Sequence, residues 1–308
     1  MATETIATQP LLVKTFYDRV LLDRVKPILV HAQFGQVRNI PAATSKTASF
    51  RRLNALAANT TPLVEGTTPA GTSYSVSEVT ATVAQYGDFI AVSDMLAATS
   101  IHPLGTETVE LLGDQAGDSL DRVYRDAMNT GTNVVYADAV ANRAAVGVAN
   151  VIDSALVKYC ATQLANARAM RINGGWVAII HPFAKHTLTN DSAWIDVTKY
   201  SRPDQIFAGE IGTLHGVRFV ESPNAAVFTG AGALGIDVYS TLIMGANAYG
   251  VIGLDTMALQ QIFKPLGSAG SADPLDQRMT WGWKAAATSK ILNDTFIIRA
   301  EHAVVVTQ

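Results

Sequence analysis

Cysteine, charge and long apolar runs are all scarce in this 308-residue sequence, and each shortage excludes something. Cys160 is the only cysteine. An internal disulfide framework, a multi-cysteine zinc site and an iron–sulfur cluster are therefore excluded. Charged residues make up 16% of the chain, against about 25% in an average soluble domain. Lys and Arg number 23 and Asp and Glu 26, a net charge of −3. That balance argues against a strongly basic nucleic-acid binder and against an acidic tail. Arg51–Arg52 is the one adjacent Lys/Arg pair, far short of a phosphate-binding patch. No stretch supplies the ~18 uncharged apolar residues of a spanning helix. Met1–Pro10 has no basic region leading into an apolar run, so no secretory signal is expected.

Ala, Gly, Thr, Ser and Asn fill the space that charge leaves. A mass of 32.7 kDa is ample for a buried core and leaves room for two domains. A compact monomer of that size would expose about 12,000 Å² by surface scaling. Spread over such an area, the charges form a thin coat. A surface of this kind suits broad contact with other chains better than a solitary soluble life.

Periodicity predicts an amphipathic helix over Thr15–Val30, ended by Pro27. A strand follows at Thr47–Leu53. Ala57–Ser73 holds two prolines, two glycines and a single charge, Glu65, which is the composition of a loop. Tyr74–Ser93 reads as one long strand whose alternation slips near Tyr86–Asp88, where Gly87 could seat a bulge. Together these make a long-armed hairpin with a wide polar tip. A two-stranded hairpin is marginal alone, so its own chain or another must hold it.

Thr106–Asn129 is the clearest helix, with Val109, Leu112, Ala116, Leu120, Val123 and Ala127 on one face and Thr106 placed to cap it. Gly113 and Gly117, one turn apart inside it, indicate close approach of another backbone. Asp153–Asn173 reads as a second helix, capped by Asp153, ended at Gly174–Gly175, with Leu156, Cys160, Leu164, Ala167 and Met170 on its apolar face. Trp176–Ile180 reads as a strand buried on both faces, and Pro182 starts a short helix. Val217–Val220, Val238–Met244 and Tyr249–Ile252 read as further strands. Arg278–Val306 reads as two strands around Asn293–Asp294. Helices and strands alternate without a βαβ rhythm, so the expected class is α+β.

Candidate chemistry is thin. Gly230-Ala-Gly-Ala-Leu-Gly235 matches G-x-G-x-x-G, but a strand-like Ile236–Met244 follows where a dinucleotide site needs a helix. A flexible loop is the better reading, and a nucleotide-binding enzyme built on it is the weakest alternative. His181 and His186 are five apart, a poor spacing for one helical face, with no third metal ligand evident. Cys160 falls on an apolar face and reads as a small buried hydrophobe. Asp114, Asp118 and Asp121, with Arg122 and Arg125 close by, read as a solvated or inter-subunit charged face. No catalytic, cofactor-binding or metal-binding residues are therefore assigned, and no cofactor is expected.

The sequence as an ordered series resembles the major capsid protein of tailed bacteriophages, of the HK97-type fold and its N4-like branch. The stretches that carry the likeness are Phe34-Gly-Gln-Val37, Phe50-Arg-Arg-Leu-Asn-Ala-Leu56, Thr61-Pro-Leu-Val-Glu-Gly-Thr-Thr-Pro-Ala-Gly71, Tyr86-Gly-Asp88 and Glu110-Leu-Leu-Gly-Asp-Gln-Ala116. Further along come Gly209-Glu-Ile-Gly212, Val217-Arg-Phe-Val-Glu-Ser222, Lys264-Pro-Leu-Gly-Ser-Ala-Gly270, Asp273-Pro-Leu-Asp-Gln-Arg278 and Gly282-Trp-Lys284. The resemblance implies an N-terminal arm over residues 1–40 and an extended hairpin loop over 41–92 that reaches over a neighbouring subunit. It implies a peripheral domain over 93–150 with a spine helix at 106–129, an axial domain over 151–265, and return strands of the peripheral domain over 266–308. It further implies a non-enzymatic shell protein. Pentamers and hexamers would close into an icosahedral shell around double-stranded DNA held by weak contacts, with a portal and separate scaffolding and decoration proteins. Such a shell is a virion component assembled in the host cytoplasm, with no membrane partner. The alternative is an encapsulin-type nanocompartment enclosing an enzyme cargo.

Overall fold

Two sheets, one long helix between them and one projecting hairpin organise the chain. The computed structural model describes residues 19–25, 28–41, 45–54, 56–101, 104–191, 212–268, 270 and 273–305. In chain order the elements are α1 (residues 19–25), β1 (Gln36–Ile40), β2 (Thr47–Leu53), β3 (Val76–Thr82), β4 (Ala84–Ser93), α2 (Asp94–Thr99), α3 (Leu104–Met128) and β5 (Val134–Tyr136). There follow α4 (Ser154–Asn166), β6 (Trp176–Ile180), α5 (Pro182–Thr189), β7 (Thr213–Leu214), β8 (Val217–Glu221), β9 (Val227–Phe228), β10 (Val238–Met244) and β11 (Tyr249–Leu254). The last three are β12 (Gln260–Lys264), β13 (Arg278–Ile291) and β14 (Ile297–His302). The class is α+β, as expected.

The first sheet runs β1-β11-β13-β12, with β4 along the other side of β13. The second runs β5-β14-β10-β6-β8-β7, with β9 added to β10. The five residues of β6 are all buried because the second sheet is covered on both faces. Val177 and Ile179 join the core that holds α3. Ala178 and Ile180, pointing the other way, join the core that holds α4 and α5.

Helix α3 buries Val109, Leu112, Ala116, Leu120, Tyr124 and Met128. The same core takes in Trp281, Trp283 and Ala285 of β13 and Leu242 and Met244 of β10. The buried row follows a four-residue step to its end, so Tyr124 and Met128 take the places expected of Val123 and Ala127. Gly113 and Gly117 do mark a close approach. A Cβ on Gly113 would lie 3.0 Å from Arg24 Cβ, and one on Gly117 would lie 3.0 Å from Ile28 Cβ. The segment around α1 therefore crosses the spine at its two glycines.

Several expectations are corrected. Of the helix expected over Thr15–Val30, residues 15–18 and 26–27 lie outside the described residues, and Ile28–Val30 has left the helix. Helix α3 begins at Leu104, so Thr106 sits inside its first turn instead of capping it. The long strand at Tyr74–Ser93 is two strands that part at Val83. There the chain stops pairing with β2 and starts pairing with β13. Gly87 seats no bulge: the ladder runs unbroken through Gly87↔Lys284. Helix α4 stops at Asn166, short of the expected Asn173. Arg168, at φ 55°, closes it, with Ala169 N–H donating to the Leu164 carbonyl at 2.9 Å and Arg168 N–H to the Ala165 carbonyl at 3.0 Å. That is a Schellman stop with Arg where Gly is usual, and it leaves Met170 exposed. Asn173 and Gly174, at φ 50° and 89°, then form a tight turn into β6. The two tail strands separate: β13 is central to the first sheet and β14 pairs with β10 in the second. The short strands β1, β5, β7, β9 and β12 were not anticipated.

Candidate assembly surfaces

The residues singled out for chemistry are accounted for by structure. Gly230–Gly235 lies in a turn between β9 and β10, tied by Gly230 N–H to Asp237 Oδ1 at 2.8 Å and by Ala233 N–H to the Val146 carbonyl at 2.9 Å. A strand follows it, so the helix terminus that would hold a pyrophosphate is missing. His181 caps α5, its Nδ1 accepting from Phe183 N–H at 3.2 Å, while its ring meets Tyr239 edge-on at 5.1 Å. His186 sits in the last turn of that helix. Among the described residues no group of three or more His, Cys, Asp or Glu could hold a metal ion. Cys160 is wholly buried, and desolvation pushes its thiol up to about 12, which leaves it inert as a nucleophile. Among the described residues no helix is long and apolar enough to cross a membrane.

The carboxylates of α3 do not form one face. Asp121 is buried. It accepts from His31 N–H at 2.8 Å, and its other oxygen lies 2.8 Å from His31 Nδ1. The Tyr249 hydroxyl donates to the His31 carbonyl at 2.6 Å. This knot ties the segment before β1 to both α3 and β11, and it corrects the reading of Asp121 as a solvated group. Sequence spacing missed it because its partner, His31, lies 90 residues away. Asp118 accepts from Asn224 Nδ2 at 3.0 Å, and Arg125 Nη1 donates to the Asn224 carbonyl at 3.0 Å.

The fold also leaves apolar surface uncovered. Among the described residues the hairpin β2–β3 is anchored at its foot, where Ala48, Phe50, Ala81 and Val83 pack with Ile252 and Ala286 of the first sheet. Phe50 lies so close to Gly250 that a Cβ there would come within 2.7 Å of the ring. Beyond Leu53 every described residue to Val76 is exposed. Leu63 is 74% exposed and Val64 70%. Arg51 and Arg52 are exposed on the outgoing strand, with Arg51 opposite Glu78. A second apolar area lies on the first sheet, where Phe89 is 66% exposed beside a groove of about 600 Å³. Leu96, Ile101 and Leu111 are exposed around α2 and α3.

The fold as a whole matches solved structures. The chain superposes on the capsid protein of cyanophage Pam1 with a TM-score of 0.68, covering 92% of this chain and 93% of that one at 14% identity. The fold is that of phage capsid proteins. The same capsid fold is seen in Ralstonia phage GP4, at a TM-score of 0.64 and 16% identity over 88% of each chain. It is seen again in the head of Helicobacter pylori bacteriophage KHP40, at 0.64 and 12% identity over 86% of this chain and 88% of that one. A family model described as phage capsid protein matches residues 115–254, from the middle of α3 to the end of β11. No curated protein matches the sequence. The capsid fold is thus legible in three dimensions where pairwise identity has fallen away.

Proposed function

We infer that the chain is a major capsid protein of a tailed double-stranded DNA bacteriophage, a self-assembling shell subunit and not an enzyme. The observation that carries this is the capsid fold together with a hairpin that, among the described residues, is exposed from Asn54 to Val76. In this reading residues 1–40 are the arm and 41–92 the extended loop, with residues 1–18 of the arm outside the described part. The first sheet with α3 forms the peripheral domain in this reading, and it draws in β1 from the arm segment, β4 from the end of the loop segment, and β11 and β12 from the 151–265 segment expected to be axial. The second sheet with α4 and α5 forms the axial domain, and β14 belongs to it because it pairs with β10. Subunits gather into pentamers and hexamers and close into an icosahedral shell in the host cytoplasm, with a portal and separate scaffolding or decoration proteins. The family model, which is one of phage capsids, favours this reading over an encapsulin-type shell.

Expression of the chain, with electron microscopy and light scattering of the product, tests it. Closed shells or capsomers are expected. A stable, folded monomer as the sole species at high concentration would reject the reading, and shells purified with an enzyme cargo in place of DNA would favour the encapsulin alternative.

A further inference from the structure

We propose that a pocket beside the foot of the hairpin is a phosphate site, and that in the assembled shell it takes phosphates of the enclosed nucleic-acid backbone. The source of the phosphate rests on the shell-protein reading; the site itself does not. The pocket holds about 490 Å³ and lies where β1 and β2 meet the turns that follow β10 and β13. Ile40 of β1 joins the core around Phe50, so Arg38, two residues earlier, turns to the same side of its strand. Arg52 likewise shares the side of β2 that carries Phe50. The two guanidiniums therefore flank one aromatic ring. Arg38 is fixed there: its Nη1 donates to the Ser49 carbonyl at 2.6 Å, and its guanidinium carbon lies 5.5 Å from the centre of the Phe50 ring. Arg51 also borders the pocket, from the other side of the strand, with Glu78 opposite it in register.

Nothing on the walls neutralises this charge. Among the described residues no Asp or Glu lines the pocket, and neither Arg38 nor Arg52 forms an ion pair. An amide adds a neutral donor. Asn293 lines the pocket and is only 8% exposed. Its Oδ1 accepts from the Thr295 hydroxyl at 2.9 Å and from Thr295 N–H at 3.4 Å, while its Nδ2 has no partner among the described residues. Guanidinium forks beside an amide N–H match the oxygens of a phosphate. A lone carboxylate would bring one negative charge to three arginines, whereas consecutive backbone phosphates bring a row of them. The sequence shows only the pair Arg51–Arg52; folding brings Arg38 and Asn293 to it.

Titration of the free subunit tests the site, with inorganic phosphate followed by phosphorus NMR and a short DNA duplex followed by anisotropy over a range of salt. Phosphate should bind saturably. Arg52→Gln should weaken it about tenfold, the loss expected of one charge-assisted hydrogen bond, and Arg38→Gln with Arg52→Gln should abolish it. Lys264→Gln, an exposed charge outside the pocket, should change nothing. The duplex should displace phosphate, and Arg52→Gln should lower the slope of its log affinity against log salt by about 1. Arg52 is exposed and makes no hydrogen bond among the described residues, so its variant should keep the parent's thermal midpoint. If Arg38→Gln lowers the midpoint, Arg52→Gln alone decides. Phosphate binding that is absent, or that Arg52→Gln leaves unchanged, overturns the site, as does preference for a polyglutamate peptide over phosphate. Phosphate binding that the duplex does not displace overturns the nucleic-acid source. Failure of the unmodified chain to assemble would sink the shell reading and leave the phosphate measurement standing.

Discussion

His302 is buried in β14 with Nε2 2.9 Å from the Thr241 hydroxyl and Nδ1 3.0 Å from the Ala303 carbonyl. A carbonyl only accepts, so Nδ1 carries the proton and neutral Nε2 accepts from Thr241. Desolvation is the largest influence and lowers its pKa to about 4 from 6.5. The unfolded chain then binds the proton more tightly, so this contribution is complete above pH ~6.5 and is lost as pH falls toward ~4. At pH 4.5 the loss is roughly 2–3 kcal/mol, on about 1.4 kcal/mol per pKa unit. Urea unfolding of His302→Gln should show a lower stability at pH 7 and a shallower fall between pH 6.5 and 4.5 than the unmodified chain. Parallel curves would refute the assignment. Arg168 bears a different residue-scale cost, the left-handed φ of 55° at the end of α4. Glycine is unstrained there, at some cost in chain entropy. Arg168→Gly should stabilise by about 0.5–1 kcal/mol in the same assay, and a lowered midpoint would contradict the account.

The hairpin separates two jobs within one element. Its foot is core: Phe50 lies against Gly250, where no Cβ fits. Gly250→Val should therefore displace Phe50 and cost about 1–3 kcal/mol by overpacking, read as a lower thermal midpoint of the unassembled subunit. Its tip is surface, exposed at every described residue from Asn54 to Val76. Replacing Ala57–Ser73 by a short Gly-Ser turn should leave the thermal midpoint of the subunit within about 0.5 kcal/mol of the parent and abolish shell closure. Normal shells from that variant would show that the tip is dispensable. Sequence composition showed the polar tip. Its partner strand was partly legible too, but the break at Val83 was not, because it is set by a change of pairing partner from β2 to β13 and not by any turn residue.

For the proposed particle, the distribution of amines and thiols decides how subunits would be joined. Lys46 is followed by Lys158, so Thr47–Val157, which includes the hairpin tip and α3, offers no lysine for an isopeptide weld. The lone thiol, Cys160, is buried on the core face of α4. The shell should therefore be held by non-covalent contacts, stabilised by burial of the exposed apolar tip and sheet face. Particles boiled in detergent without reductant should run as one band near 32.7 kDa. A ladder that resists reducing agent would overturn this. The net charge of −3 and the absence of basic clusters predict weak, salt-sensitive binding of duplex DNA by free subunits. Tight binding at physiological salt would contradict it.

Local chemistry by itself determined the spine helix, the doubly buried strand Trp176–Ile180, the Asp153 cap and the polar hairpin tip. Each rests on a short-range pattern of period, capping or composition that needs no partner to be read. It also determined what the glycine loop is not, since the required helix is absent from the residues that follow it. Tertiary structure alone decided that Asp121 is buried against His31, that β13 and β14 enter different sheets, and that Phe89, Ile262 and Gly282 share one groove. These depend on residues far apart in the chain meeting across strands, and no local period encodes which strands will pair.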